Sequence, residues 1–266
     1  MIQPNLTVIG GPNGSGKSTL INYLIGQGAN LGHYINADDI ARNRGLTGDA
    51  GALAGQLAAD RMREECLSKR DNFAFETVMS HISKVDFMSR AKAAGYRITF
   101  YFVATGNPDI NVLRVQTRVS MGGHDVPRDR ILARYHRSIA NLPKALTVCD
   151  KTMVFDNSAL GGEPGGLSLR PIIAANSLFS GQLIVTLIPP FPVWAFEALH
   201  LRQCGYALWK IAALPDGRVD LQFRVSESIS AHQPDNSDEY TVHLAKDYLL
   251  QAESGIAAEC VVYEDP

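Results

Sequence analysis

Ten residues near the N-terminus, Gly10-Gly11-Pro12-Asn13-Gly14-Ser15-Gly16-Lys17-Ser18-Thr19, carry the densest chemistry of the chain. From Gly11 to Ser18 they fit G-x-x-x-x-G-K-[ST], the pattern of a loop that wraps phosphate oxygens. Glycine lets the backbone turn successive N–H groups inward, and a helix starting just beyond adds the positive end of its dipole. In such a loop Lys17 reaches the β- and γ-phosphates of a nucleoside triphosphate and Ser18 ligates Mg²⁺. Gly11, Pro12, Asn13, Gly14, Ser15, Gly16, Lys17, Ser18 and Thr19 are therefore the expected contacts for ATP, with Mg²⁺ as its ion.

Carboxylates and guanidinium groups follow at suggestive places. His33-Tyr34-Ile35-Asn36-Ala37-Asp38-Asp39 reads as a short strand ending in two adjacent acids. Either acid can cap the next helix, and one that faces the phosphates would serve as a general base. Neighbouring side chains point apart, so Asp38 is expected to face inward and Asp39 to cap. Glu76-Thr77 breaks the apolar pattern at the C-terminal end of the strand 72–77, where ligands sit in open α/β sheets. Glu76 is placed there to meet substrate hydroxyls or the surroundings of Mg²⁺, or else marks a solvated strand end. Arg118 precedes the loop Gly122-Gly123-His124-Asp125-Val126-Pro127, and Arg130, Arg134 and Arg137 share one face of the helix beyond it. A basic row alone is usually a solvated face; beside a phosphate loop it describes a lid whose guanidinium groups spread charge over a transferring phosphoryl group. Lys151–Phe155 ends in Asp156-Asn157-Ser158. Asp156 competes with Asp38 for the metal role and ranks below it, while Asn157 is placed to touch an adenine base.

The elements that must hold these residues alternate. Leu6-Thr7-Val8-Ile9 is a buried strand feeding the loop, and Leu20, Ile21, Leu24 and Ile25 recur at helical spacing after it. Asp49 to Lys69 is a long helix, with Leu53, Ala54, Leu57, Ala58, Met62 and Cys66 expected in the core. Ser83 is expected to cap a helix through Ala94. Arg97 to Ala104 is almost continuously apolar, as a strand covered on both faces should be. Asn107-Pro108 starts the first lid helix, and the second begins near Pro127. A turn-rich connector at 161–166 leads to strands at 171–175 and 182–188, a helical stretch at 193–201, and a hairpin formed by 206–214 and 219–225. The expected fold is α/β: a P-loop kinase three-layer sandwich with a mostly parallel five-stranded sheet, a helical lid at about 118–142 and a small C-terminal α+β extension. Residues 1–200 would form the kinase domain and 201–266 the extension.

Bulk properties narrow the setting. From residue 201 onward five basic residues face eleven acidic ones, a balance of −6, while residues 1–200 carry +4. So mild a positive field argues against a nucleic-acid partner. No apolar run approaches the roughly 18–20 residues that span a bilayer, so no membrane partner is expected. Cys66, Cys149, Cys204 and Cys260 are far apart, which suits free thiols in a reducing cytoplasm.

Taken together, Gly-Pro-Asn-Gly-Ser-Gly-Lys-Ser-Thr (11–19), Ile-Asn-Ala-Asp (35–38), Phe-Glu-Thr (75–77), Arg-Val-Ser-Met-Gly-Gly-His-Asp-Val-Pro (118–127) and Arg-Tyr-His-Arg-Ser-Ile-Ala-Asn-Leu (134–142) resemble the zeta toxin family of P-loop kinases, over roughly residues 4–200. The resemblance implies transfer of the ATP γ-phosphate to a hydroxyl of a UDP-activated amino sugar such as UDP-N-acetylglucosamine. It implies Asp38 as the catalytic aspartate, Glu76 and Thr77 as holders of the sugar nucleotide, and lid arginines among Arg118, Arg134 and Arg137 with His124 close by. It also implies a separate antitoxin partner. Other readings of the same residues are a kinase for another metabolite, an antibiotic or a nucleic-acid 5′-hydroxyl, and an ATP-dependent regulatory module without transfer chemistry.

Overall fold

A computed structural model describes residues 3–123, 125–159, 169–178, 181–225, 237–253 and 261–262; His124 and the connector at 161–166 lie outside them. The first strand, β1 (Asn5–Gly10), buries Leu6, Val8 and Ile9 completely and delivers the chain to the phosphate loop. α1 (Lys17–Gly26), β2 (His33–Ile35), α2 (Ala37–Asn43), α3 (Gly48–Lys69), β3 (Phe73–Thr77), α4 (Ser83–Ala93) and β4 (Arg97–Ala104) follow. Two helices, α5 (Pro108–Ser120) and α6 (Arg128–Ala140), pack on each other where the sequence leads one to expect a lid, and α7 (Leu142–Val148) leads into β5 (Lys151–Asp156).

β2, β3, β1, β4 and β5 lie side by side in that order, all parallel. Val8 pairs with Phe75 on one side and Phe100 on the other, so β1 is the central strand. Its neighbours are reached by crossovers in opposite directions, which opens a crevice above its C-terminal end. The sheet does not stop at five strands, and it is mixed. β6 (Arg170–Leu178), β7 (Gln182–Leu187), β9 (Val219–Val225), β8 (Tyr206–Ala213) and β10 (Val261–Val262) continue it from β5, antiparallel throughout. The physical reason is twofold. β5 alone would leave an open edge of N–H and C=O groups. Leu183, Val185, Leu187, Val219, Leu221 and Phe223 alternate strictly, so the added strands bury one face. That face is covered by α8 (Asp238–Glu253) and a 3₁₀ segment over Val193–Leu199.

A second correction concerns α3. Leu53 and Leu57 are 58% and 52% exposed and Met62 is also exposed; the buried side is Gly51, Gly55, Ala59, Arg63 and Cys66. α2 lies so close that a Cβ at Gly55 would sit 2.4 Å from the Ala37 carbonyl oxygen. Smallness, rather than hydrophobicity, selects the packed face. Helix α4 starts as expected, but the Ser83 side chain does not cap it; the Ser83 N–H instead donates to His81 Nδ1 at 3.2 Å. The lid helices hold a small core of their own, Val112, Val115, Val126 and Ile131, separate from the two clusters that flank the sheet. Among the described residues no helix is long and apolar enough to cross a membrane.

Candidate active site

The phosphate loop has the shape its glycines allow. Gly11, Gly14 and Gly16 adopt φ of 145°, 73° and 104°, a region that side chains rarely enter. A Cβ at Gly14 would lie 2.5 Å from the Asn111 carbonyl oxygen, so the loop is pressed onto α5 at that point. Asn111, fully buried, donates back to the Asn13 carbonyl at 2.7 Å. Lys17 opens α1 and is buried; its Nζ donates to the carbonyls of Gly11 and Pro12 at 3.0 Å each and stands 3.7 Å from Glu76. Burial pushes its ammonium below the ordinary range, against the pull of Glu76 and then Asp38. The Ser15 hydroxyl is buried without a partner. A desolvated cation, an orphan hydroxyl and a turned-in backbone fit a polyphosphate.

Asn36 organises the acids. It, and neither aspartate, caps α2: its Oδ1 accepts from the N–H of Asp38 at 2.9 Å and of Asp39 at 3.4 Å. Its Nδ2 donates to Glu76 at 3.1 Å, and the Tyr34 hydroxyl donates to the same carboxylate oxygen at 3.1 Å. Burial, and next the Glu76 charge, push the Tyr34 phenol upward, so it remains a donor. Asp39, expected to cap, instead pairs with Arg42 at 3.0 Å on the surface. Asp38 is left facing the cleft, and it lines three cavities at once. One, about 340 Å³, includes Ser18, Glu76 and Arg118. Another, about 190 Å³, includes Asn13, Thr77, Lys84 and Arg134. The third, about 700 Å³, lies between the turn at 45–48 and the lid tip at 121–123.

The lid brings some arginines to this point and leaves others outside. Arg118 lines the first and third cavities. Arg134 lines the second, with one guanidinium nitrogen 3.4 Å from Asn13 Oδ1. Burial, and then Arg130 and Arg137, press against its charge while Asp38 favours it. Arg137 is exposed and lines none of these cavities; Arg130 takes a place beside Arg134. The lid is tied down at its base, where the Tyr135 hydroxyl donates to the Thr105 carbonyl at 2.5 Å.

Residues 47–159 match the zeta toxin family model. The chain belongs to the zeta toxin family. An uncharacterized protein of Haemophilus influenzae is 31% identical over 131 residues, 47% of this chain and 88% of that one. Among solved structures, the AvrRxo1-ORF1:-ORF2 complex with ATP superposes with a TM-score of 0.51 at 15% identity, covering 65% of this chain. The native AvrRxo1 complex gives the same values. This chain spans 58% of the length of those solved chains, and the likeness is one of fold.

The zeta toxin match takes in Glu76, Thr77 and the lid but begins after Asp38 and the phosphate loop, which stand on their own motif. His124 is outside the described residues. Thr77 accepts the Met79 N–H on its hydroxyl at 3.1 Å, and its carbonyl accepts the Gly11 N–H at 3.2 Å, which joins the β3 end to the loop. Asn157 is buried and donates to the Ser15 carbonyl at 2.8 Å, so its carboxamide buttresses the loop from beneath. Asp156 accepts from Trp194 Nε1 at 3.2 Å, from Ser158 Oγ at 2.5 Å and from Arg170 at 3.3 Å; it is committed to tying β5 to the segments beyond. Among the described residues no cluster of three or more His, Cys, Asp or Glu could hold a metal by itself. Sequence reasoning missed Tyr34, Asn36 as cap, Asn111 and the hydroxyl of Ser138, which donates to the Val78 carbonyl. Next to that carbonyl, Met79 holds a positive φ of 61° while buried, and its own carbonyl accepts from Asn141 at 2.9 Å. No periodic pattern announces such a strained residue; only its lid-helix partners explain it.

Proposed function

We propose that this zeta toxin family protein is an ATP-dependent kinase acting on a hydroxyl of a small acceptor, with a UDP-activated amino sugar such as UDP-N-acetylglucosamine as the leading candidate. The observation that carries the reading is Asp38, one carboxylate shared by the cavity of Ser18 and the cavity of Asn13 and Arg134. Backbone amides within Asn13–Thr19 and the Lys17 ammonium hold the triphosphate. Ser18 would hold Mg²⁺, whose charge would offset that of the phosphates. Asp38 accepts the hydroxyl proton as the oxygen attacks the γ-phosphorus in line, the bond from that phosphorus to the bridging oxygen breaks, and ADP leaves. Arg118 and Arg134 stabilise the charge spread over the phosphoryl oxygens. Glu76, fixed by Tyr34 and Asn36, and Thr77 orient the acceptor. A separate antitoxin, as the family resemblance implies, completes the proposal.

The test is transfer of labelled γ-phosphate from ATP to UDP-N-acetylglucosamine. Asp38→Asn should lower kcat by about 10²- to 10⁴-fold with ATP affinity kept. Full turnover in that variant would remove Asp38 from the mechanism.

A further inference from the structure

One side chain near the cleft breaks three local rules at once. Lys84 lies in the first turn of α4, where a cation opposes the helix dipole. Its side chain is only 18% exposed, which costs solvation. It also stands close to a second cation, Arg63. Arg63 is 5% exposed and sits 4.9 Å from the Phe75 ring centroid, so it cannot move away. Both cations lean on one carboxylate: Asp60 accepts from Lys84 at 3.1 Å and from Arg63 in a short contact. Asp60 is the one carboxylate that both cations touch, Glu64 favours the Arg63 charge from beside it, and both Lys84 and Arg63 line the 190 Å³ cavity that begins at Asp38. Local rules broken together beside a cleft are expected at functional sites.

We propose that Lys84, backed by Arg63 and Asp60, forms a subsite for an anionic group of the acceptor. The inference rests on the kinase reading for its word acceptor; the anion site itself does not. A phosphate or carboxylate here would pair with the Lys84 ammonium on its cavity side, and the group's attached hydroxyl would lie toward Asp38. Acceptors without negative charge would lack this anchor. The remaining charged groups of the cavity are Asp38, Asp49, Glu76, Arg130 and Arg134, with His81 just before α4.

The subsite has a pH signature. Burial, and after it Arg63, push the Lys84 ammonium down to about 8. Raising the pH through that value discharges it, so anion affinity should fall roughly ten-fold from pH 7 to pH 9 if only the charged form binds. The experiment is calorimetric titration of the full chain, saturated with a non-hydrolysable ATP analogue, with four probes: UDP-N-acetylglucosamine, N-acetylglucosamine 1-phosphate, glucuronate and neutral N-acetylglucosamine. At least one anionic probe should bind ten-fold tighter than the neutral sugar, and the first three separate diphosphate, monophosphate and carboxylate sources. Lys84→Met should lose that preference, whereas Lys84→Arg should keep it and flatten the pH profile. Equal binding of charged and neutral probes, or a Lys84→Met variant that keeps the wild-type preference for the anionic probes, would overturn the subsite. Lys84-dependent binding of UDP-N-acetylglucosamine, together with no label transferred to it from γ-labelled ATP in the separate transfer assay, would instead keep the subsite and overturn the reading of that sugar nucleotide as the phosphoryl acceptor.

Discussion

At the scale of single residues, Asn36 connects stability to chemistry. One end of its amide caps α2 and so sets where Asp38 stands; the other end fixes Glu76. Asn36→Ala should cost about 1 kcal/mol through the lost cap and also free Glu76. Asn36→Ser can still cap but has no amide to donate, so its melting temperature should stay near wild type while kcat/KM falls as in the Ala variant. Thermal unfolding set beside acceptor kinetics checks this, and a fully active Ser variant would sever Asn36 from the site. The phosphate loop was legible in the sequence because phosphate binding by backbone amides constrains residue type at fixed spacing. The cap was not. Asn and Asp serve almost equally well as caps, so Asn36, Asp38 and Asp39 could not be ranked by type. The choice falls to backbone geometry: Asn36 is extended, with φ −127°, and helix follows directly.

At the scale of elements, α3 shows how periodicity can be read correctly and assigned to the wrong side. Its leucines and its small residues both recur every three to four positions, on different faces. Hydrophobicity favours the leucines, yet the close backbone approach is made by glycine, Gly55 against Ala37 of α2 and Gly51 against Leu46 of the turn that follows it. The strands were easier to read: β4 was foreseen residue for residue, since both its faces are covered and its pattern is continuous. The exposed and buried stripes of α3 lead to opposite expectations. Gly55→Val places atoms against the Ala37 backbone, which cannot swing aside, and should destabilise by about 1–3 kcal/mol. It should also displace α2 and with it Asp38, lowering turnover further than stability alone explains. Leu57→Gln, on the exposed stripe, should stay within about 0.5 kcal/mol of wild type. Urea unfolding midpoints of the two variants decide which stripe is the packed one; a costly Leu57→Gln with a silent Gly55→Val would reverse the assignment.

At the scale of the whole molecule, the ten-stranded sheet raises a question about the acidic C-terminal part. Its hairpin was readable from alternation and the Pro215-Asp216-Gly217-Arg218 turn, but a local pattern does not say which free edge a hairpin will join. Here β9 joins β7, itself joined through β6 to β5 of the parallel set. Leu208, Ile211, Val219, Leu221, Phe223, Tyr248 and Leu249 are buried in the same cluster as Phe75, Phe100 and Tyr135 of the half that carries the phosphate loop. Burying one large apolar side chain contributes about 1.5–3 kcal/mol, and a whole domain has a margin of only about 5–15 kcal/mol. A handful of these side chains therefore equals that margin. Ending the chain after residue 200 should leave β7 with an unpaired edge and an uncovered apolar face, and the product should be insoluble or lack cooperative unfolding. Circular dichroism melts and ATP titration of the shortened chain check this. A soluble product that melts cooperatively and binds ATP with wild-type affinity would mean that the first 200 residues close a core of their own, and that the antiparallel strands are an attachment to the phosphate-binding half and not part of its support.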